Sequence, residues 1–585
     1  MENFLDGTVC FKDKLAPSYI NTTNPRYIEI DNYFYSGILI IDYYREYNEI
    51  IFRNIINNNI NMSMSIFYEK QDTYKTIKNL TYFIGNVGVD LKQGNQNRED
   101  IDIAAFSYND AKYIRKEIQV NNSDLYFLNV YILIAEDSIQ KLEQALKSVE
   151  GILQASGMVT KRANFRQEQV FLSCLPIMEN KKEVKEVSKR NVLTNGLLGT
   201  FPFISSNICE QNGVFLGTNI YNHSIVLMDR FNREKYKNAN MCIFGTSGAG
   251  KSFFIKLLIM RYRILQMEQY IIDPEREYDK ICNYLKGTLI KIGPTSDTFI
   301  NVLDIREESI EEGKGYLATK LGKLRGFFSL VFGNIEEEKM AILEEKMIQV
   351  YLEKGITFED KSLYKKYKNK FVFKSSKDMP ILEDLYKKLD TKETRHLQTK
   401  LYPFVYGSLK FLNNYTNIKM DNKLIVADIY ELGEDNLKYG MFIFIDLFWD
   451  KIKKERSKDK AIYLDEIWRL IGITSNKSVA SFIYKIFKTI RKYGGSAVAI
   501  TQDISDIFSL EDGIYGRSIL NNSSIKAFFS LEEENILVLS KFANISEKEK
   551  IEIKALKRGE ALMFIGEEHI LVKIEANELE KQVIL

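Results

Sequence analysis

The sequence predicts an α/β protein: a parallel sheet covered by helices on both faces carries a nucleotide phosphate cradle, a smaller α+β domain precedes it, and a helical insertion interrupts it. Three observations predict this class. The loop Gly245 to Ser252 reads GTSGAGKS, follows the apolar run Met241-Cys242-Ile243-Phe244 and opens into the apolar, helix-like stretch Phe253 to Leu265. A glycine-rich loop between a buried strand and a helix is the setting in which this pattern holds phosphate. Short β-branched runs then alternate with helical patterns, as parallel strands joined by helical crossovers require. Between Ile305 and about Pro403 the pattern changes to charged amphipathic helices, for example Ile335 to Glu353.

Each element follows from its residues. Tyr33 to Tyr44 and Leu125 to Ala135 are rich in β-branched and aromatic residues, and the second run leads into a helical pattern from Asp137 to Ser156, which together read as α+β. The charged stretch Met178 to Arg190 (MENKKEVKEVSKR), just after Pro176, is expected to separate an N-terminal domain, 1–190, from the domain 191–585. Val214 to Thr218 and His223 to Asp229 read as short strands ahead of the cradle. Gln269 to Asp273 is the next strand after it, ending in Asp273-Pro274-Glu275. The insertion, 305–403, contains the lysine-rich segment Lys361 to Lys377, read most simply as a solvated face and alternatively as a grip on a substrate or partner. There is no internal repeat and no Pro-rich or Gly/Ser-rich linker.

At 585 residues, with 45% apolar and 12% aromatic content, the chain can bury two or three cores. Lys plus Arg total 81 against 79 for Asp plus Glu, so the global charge does not advertise a nucleic-acid binder and leaves room for a local basic path. Five cysteines without C-x-x-C spacing and three distant histidines (His223, His396, His569) give no zinc site and no disulfide framework, as suits a reducing interior. Met1 to Lys14 has charges on both sides of a short apolar patch, and Asn129 interrupts Leu125 to Ala135. Neither serves as a signal peptide or a bilayer span, so a cytoplasmic location with membrane association through partners is expected.

The chemistry concentrates at strand ends, where open parallel sheets bind ligands. In the cradle, Gly245, Thr246, Ser247, Gly248, Ala249, Gly250, Lys251, Ser252 and Phe253 would surround the phosphates with backbone N–H groups, Lys251 would reach the β/γ-phosphates, and Ser252 would offer its hydroxyl to Mg²⁺. Ala461 to Leu464 ends in Asp465 and Glu466. Asp465 would hold the metal through water and Glu466 would polarise the attacking water, with a solvated acidic turn as the plain alternative. Ser496 to Thr501 is tipped by Gln502, a candidate γ-phosphate sensor or an ordinary strand-end cap. Arg491, in a helix end closed by Gly494-Gly495, suits the helix dipole. In a ring it could equally stabilise a neighbour's transition-state charge, with Arg517 and Arg558 as further candidates.

Taken together, these segments resemble the large cytoplasmic ATPase of type IV secretion and conjugation machines, the VirB-four/TraE-like group in the HerA/FtsK class of RecA-like motors. The resemblance rests on GTSGAGKS, on Tyr270 to Tyr278 (YIIDPEREY), on Asn301 to Ile305, on Leu464-Asp465-Glu466, on Arg491 to Gly495, on Thr501-Gln502 and on Arg558 to Leu562 (RGEAL), all in the family's order. Val302 departs from it, since relatives more often have proline there. The resemblance implies a RecA-like P-loop motor that uses ATP and Mg²⁺ and forms a hexamer, with the N-terminal domain docking on inner-membrane components and a coupling protein as partner. DNA is the implied substrate if the chain comes from a conjugative element. A soluble HerA/FtsK-type DNA pump shares Lys251, Asp465, Glu466 and Gln502, and a nucleotide-bound assembly scaffold is the alternative from another class. No LSGGQ-like signature lies between the cradle and Asp465, which disfavours an ABC transporter subunit.

Overall fold

The computed structural model describes residues 16–44, 51–56, 60–93, 98–201, 207–309, 315–333, 335–368, 370–472, 477–566 and 568–584. The stretch 1–14, read above for a signal peptide, lies outside them. The chain divides into two compact units, 1–204 and 205–585.

The first unit is built on an antiparallel sheet of seven strands: β1 (Ile20–Asn21), β2 (Ile28–Ile30), β3 (Tyr33–Asp42), β4 (Met62–Lys70), β5 (Leu125–Glu136), β6 (Val159–Arg162) and β7 (Arg190–Leu193). They run in the order β1-β2-β3-β5-β4, with β6 also on β3 and β7 also on β5. Successive side chains of a strand face opposite sides, so Ile38, Ile40, Val130, Ile132 and Ile134 meet Leu142, Leu146, Val149 and Leu153 of the helix Ile139–Ala155. Leu39 and Tyr131, on the other face, pack with Val170 and Val184.

That second core moves the expected boundary. The charged stretch before residue 190 is not a linker: it contains the helix Lys182–Ser188, which buries Val184 against the sheet, and β7 pairs with β5. Buried Asn129 donates from Nδ2 to the Lys185 carbonyl and to Ser188 Oγ, tying helix to strand. A short run of lysines and glutamates hid one apolar contact face, and the unit continues to residue 204.

In the second unit, β8 (Val214–Asn219), β9 (Ile225–Met228), β10 (Met241–Phe244), β11 (Glu268–Asp273) and β12 (Thr288–Lys291) precede the insertion. The insertion holds the helices Tyr316–Phe332, Glu337–Glu353, Leu382–Lys388 and Arg395–Val405, and a hairpin of β13 (Tyr364–Tyr367) and β14 (Lys370–Phe373). After it come β15 (Leu424–Asp428), β16 (Lys460–Leu464), β17 (Gly495–Thr501), β18 (Ile525–Phe528), β19 (Glu560–Ile565) and β20 (Glu568–Ile574). One sheet of eleven strands results, in the order β12-β15-β11-β16-β17-β10-β18-β19-β20-β8-β9.

The parallel sheet expected from the sequence accounts for the first seven of these strands. From β18 onward every pairing is antiparallel. β10, β15, β16 and β17 are buried along their whole length, as strands covered on both faces must be. One face packs under the helix Lys251–Ile264 and the other under the insertion and the helix Leu437–Lys454. The turn at Asn301 forms with Val302 in the proline position, because Asn301 Oδ1 accepts the Leu303 N–H at 2.9 Å and Asn301 Nδ2 donates to Asp304 and to the Pro380 carbonyl.

Candidate functional site

The cradle springs from the end of β10. Gly248 (φ 77°) and Gly250 (φ 112°) hold left-handed conformations that residues with a Cβ avoid. A Cβ on Gly250 would also lie 3.1 Å from the Gly559 nitrogen, because the loop ahead of β19 crosses the cradle and the Gly559 N–H donates to the Ala249 carbonyl at 3.1 Å. Thr246 N–H and Oγ1 both donate to the Ser530 carbonyl. The helix Lys251–Ile264 follows directly, so its N-terminal amides belong to the same loop.

Strand order explains how distant motifs meet. β17 lies between β10 and β16, with Thr501 in register with Phe244 and Leu464 with Ala499. Gly245, Gln502, Asp465 and Glu466 therefore follow the carboxyl ends of three adjacent parallel strands in the middle of the sheet. Lys251 is 8% exposed and folds back, its Nζ donating to the carbonyls of Gly245 (2.7 Å) and Thr246 (2.9 Å). Burial pushes its ammonium below the ordinary lysine range, opposed by the nearby Glu466 and Asp465.

The acids are held in a frame that the motif search did not anticipate. Asp465 Oδ2 accepts the Tyr278 hydroxyl at 2.9 Å, and Asp465 Oδ1 accepts the Glu466 N–H at 3.0 Å. Burial, and then the neighbouring Glu466, push the Asp465 carboxyl up to about 8, with the Tyr278 hydrogen bond working the other way. Glu466 sits at φ 50°, a strained position for a residue with a side chain, and its Oε2 accepts the Trp468 indole N–H. Its carboxyl is also raised, chiefly by burial.

The role of the YIIDPEREY segment is now visible. Asp273, at the end of β11, accepts the N–H groups of Glu275, Glu277 and Tyr278 (3.3, 3.1 and 2.9 Å) and so winds the following loop around itself. That turn delivers fully buried Tyr278 to Asp465. Arg276, at φ 59°, is held by Asp428 and Glu431 at 2.7 and 2.8 Å. The sequence singled out this segment as specific without showing what it touches.

The three arginines separate. Arg491 precedes β17, at the opposite end of a seven-residue strand from Gln502, roughly 20 Å along the sheet from the chain's own cradle. Arg517 donates to the Asp512 carbonyl and lies over the Phe542 ring, 4.8 Å from its centroid. Arg558 adjoins Gly559 and thus sits beside the chain's own cradle.

A divalent cation fits this donor set. The Ser252 hydroxyl and the Asp465 carboxylate are hard oxygen ligands of the kind Mg²⁺ uses together with phosphate oxygens. Burial and then the neighbouring Glu466 disfavour the charged form of Asp465, and a bound cation would favour it. Among the described residues, no His/Cys/Asp/Glu cluster of three or more forms an all-protein metal cage, and no helix is long and apolar enough to cross a membrane.

Fold and site define a P-loop NTPase of the RecA-like class. Residues 223–577 match the TraG P-loop domain family, and residues 91–180 match the CagE, TrbE, VirB family, described as a component of the type IV transporter system. The chain belongs to the TraG P-loop domain family, as a VirB4-like member of the type IV secretion group. The solved structure of VirB4 of Thermoanaerobacter pseudethanolicus is 30% identical, covering 64% of this chain and 100% of that one, with a TM-score of 0.59. Protein TraC of Escherichia coli K12 is 24% identical over 418 residues, which are 68% of this chain and 45% of TraC. The type IV secretion system protein CagE of Helicobacter pylori is 22% identical over 478 residues, 75% of this chain and 46% of CagE. The chain thus spans about half the length of TraC and CagE.

Proposed function

We propose that this protein is a Mg²⁺-dependent ATPase that energises a type IV secretion or conjugative transfer apparatus, driving assembly of the channel or pilus and passage of its substrate. The observation that carries hydrolysis, over binding alone, is Glu466: a second buried carboxylate pinned beside Asp465 at the mouth of the cradle. A nucleotide-bound scaffold has no use for it.

In this reading Lys251 leaves the Gly245 and Thr246 carbonyls for the β- and γ-phosphates, and Ser252 and Asp465 hold the metal, which would neutralise charge on the phosphates. Glu466 orients and deprotonates the attacking water, and Gln502, at the tip of β17, reports the γ-phosphate. The distance of Arg491 from its own cradle supports a role in a neighbour's site, and hence a ring, for which a hexamer is the family expectation. The N-terminal unit, through its match to a type IV transporter component, would dock the motor on inner-membrane partners at the cytoplasmic face, next to a coupling protein.

The test is the ATPase rate per subunit against protein concentration, with and without DNA and with Glu466→Gln as the blank. A rate that climbs with concentration and ignores DNA supports an assembly-activated secretion motor. Strong stimulation by DNA at fixed concentration would replace it with a direct DNA pump of the HerA/FtsK kind, and a rate no higher than the blank would leave a scaffold. For the ring, Arg491→Ala mixed with Lys251→Ala should regain activity, because the second supplies the arginine to the intact cradle of the first. Mixtures as inactive as either variant would remove Arg491 from that role.

A further inference from the structure

The lysine-rich segment of the insertion is not a featureless solvated face. Residues 361–377 contain seven lysines and no acid, and their centre is the hairpin β13–β14. Its base is fixed: Tyr364 and Phe373 pair across the strands, with ring centroids 5.3 Å apart, and Phe373 packs on Tyr316 at 5.5 Å. Lys374 Nζ donates to the carbonyls of Lys354 and Gly355 at 2.9 Å each, and Lys365 pairs with Asp378. Toward the tip the pattern reverses. Tyr367 is 60% exposed and Phe371 76% exposed, large rings presented to solvent on a well-anchored support.

Register gives these rings their meaning. Lys366 faces Phe371 and Lys370 faces Tyr367 directly across the ladder, and such partners have Cβ atoms about 5 Å apart on the same face of a hairpin. Successive residues alternate faces, so each face of the tip carries one exposed ring with one lysine beside it. Lys366, Lys368 and Lys370 make no ion pair among the described residues, and Lys368 leans over the Tyr367 ring.

We infer that this hairpin is a binding surface for single-stranded nucleic acid, each ring stacking on a base while its paired lysine meets the adjoining phosphate. A ring-plus-cation unit matches the chemistry of one unpaired nucleotide. A duplex would answer the lysines and leave both rings without a partner, since its bases are already stacked. A bilayer is the poorer match, because the two rings stand on opposite faces of the hairpin and a flat surface meets only one of those faces. The inference stands apart from the hydrolysis reading, since it involves no residue of the cradle.

Fluorescence anisotropy of a labelled oligothymidylate with the full chain tests it. The double variant Tyr367→Ala/Phe371→Ala should bind at least about tenfold more weakly at fixed salt. Lys366→Gln/Lys370→Gln should instead flatten the dependence of log K on log salt by about 1.4, the loss of two single-strand phosphate contacts. Both variants should melt at the wild-type temperature, because the rings and lysines removed are exposed. No oligonucleotide binding by the wild-type chain, equal binding after loss of both rings, equal preference for duplex, or capture by phosphatidylglycerol vesicles without oligonucleotide binding would each overturn the proposal.

Discussion

Asp465 at the cradle and Asp446 in the helix Leu437–Lys454 are both buried aspartates of one domain, yet they are held in opposite states. Asp446 and its neighbour Asp450 lie among cations: Arg306 reaches both at 2.7 Å, Lys323 reaches them at 2.5 and 2.6 Å, and Lys320 lies 3.6 Å from Asp446. Burial raises both carboxyls, but Lys323 and Arg306 outweigh it, and both stay below the ordinary carboxylate range. Asp465 faces Glu466, Glu277 and Asp273, and the cation in reach, Lys251, is committed to loop carbonyls. Desolvation therefore wins, and the carboxyl rises to about 8. A closed ion network is a structural clamp, whereas an acid cluster left short of positive charge is an incomplete site.

The largest effect separating the two regions should come from Glu466→Gln. General-base catalysis typically supplies a factor of 10² to 10⁴, so turnover should fall by about 100-fold or more while nucleotide affinity, measured with a fluorescent analogue, stays close to wild type. Lys251→Ala should do the reverse and lose affinity first. A Glu466→Gln protein that hydrolyses ATP normally would remove the base assignment.

The matched aspartate pair comes next. Asp446→Asn leaves buried cations short of a partner and should destabilise the domain by about 3–5 kcal/mol in denaturant titration. Asp465→Asn replaces a carboxyl whose ionised form is disfavoured without ligand, so the nucleotide-free protein should be as stable as wild type or more so. Equal losses in the two variants would erase the distinction drawn between clamp and site.

Proton linkage sharpens the same contrast. Asp465 at about 8 and Asp273 at about 6 bind protons in the folded state at pH values where the unfolded chain has released them. Stability of the nucleotide-free protein should therefore decline as pH rises from about 4 to about 8. Asp446 and Asp450 shift the other way; their contribution is complete above about pH 4 and is lost only on further acidification. Melting temperature should thus fall by a few degrees between pH 5.5 and pH 8 in these assays, and Mg²⁺ with nucleotide should abolish most of the decline, since a bound cation removes the penalty on the charged acids. A pH-independent midpoint without nucleotide would contradict the raised acids.

The two regions also differ in how far they could be read from the sequence. Lys251, Asp465 and Glu466 were legible because each motif is local: a loop between strand and helix, or an apolar run ending in two acids. The partners of Asp465 were not, since Tyr278 lies 187 residues away and reaches it through a turn that Asp273 builds. The placement of β17 between β10 and β16, and the antiparallel edge from β18 to β9, are non-local pairings that periodicity does not encode. The ion network went unseen for the same reason, with Arg306, Lys320, Lys323, Asp446 and Asp450 on three separate segments that each look like ordinary charged helix or loop. The boundary shifted because Val184, with Val187 beside it, packs on the sheet from a helix otherwise made of lysine, glutamate and a terminal serine.

Tyr278 offers the finest test of the comparison, because its hydroxyl is the side-chain donor that favours the charged form of Asp465. Tyr278→Phe keeps the buried ring and deletes the 2.9 Å hydrogen bond, leaving the fold intact. A hydrogen bond to a charged group contributes about 1.5–3 kcal/mol, of which the metal-bound state should retain only part, so the Mg²⁺ concentration giving half-maximal ATPase should rise by about tenfold or somewhat less. The acidic limb of the pH–rate profile should move to higher pH with it, because Asp465 now needs a higher pH to ionise. Nucleotide binding without Mg²⁺ should not change. If Tyr278→Phe lowered the maximal rate with no shift in Mg²⁺ requirement or pH profile, the hydroxyl would be packing support for the loop, and the acid at the cradle would owe its state to burial and its charged neighbours alone.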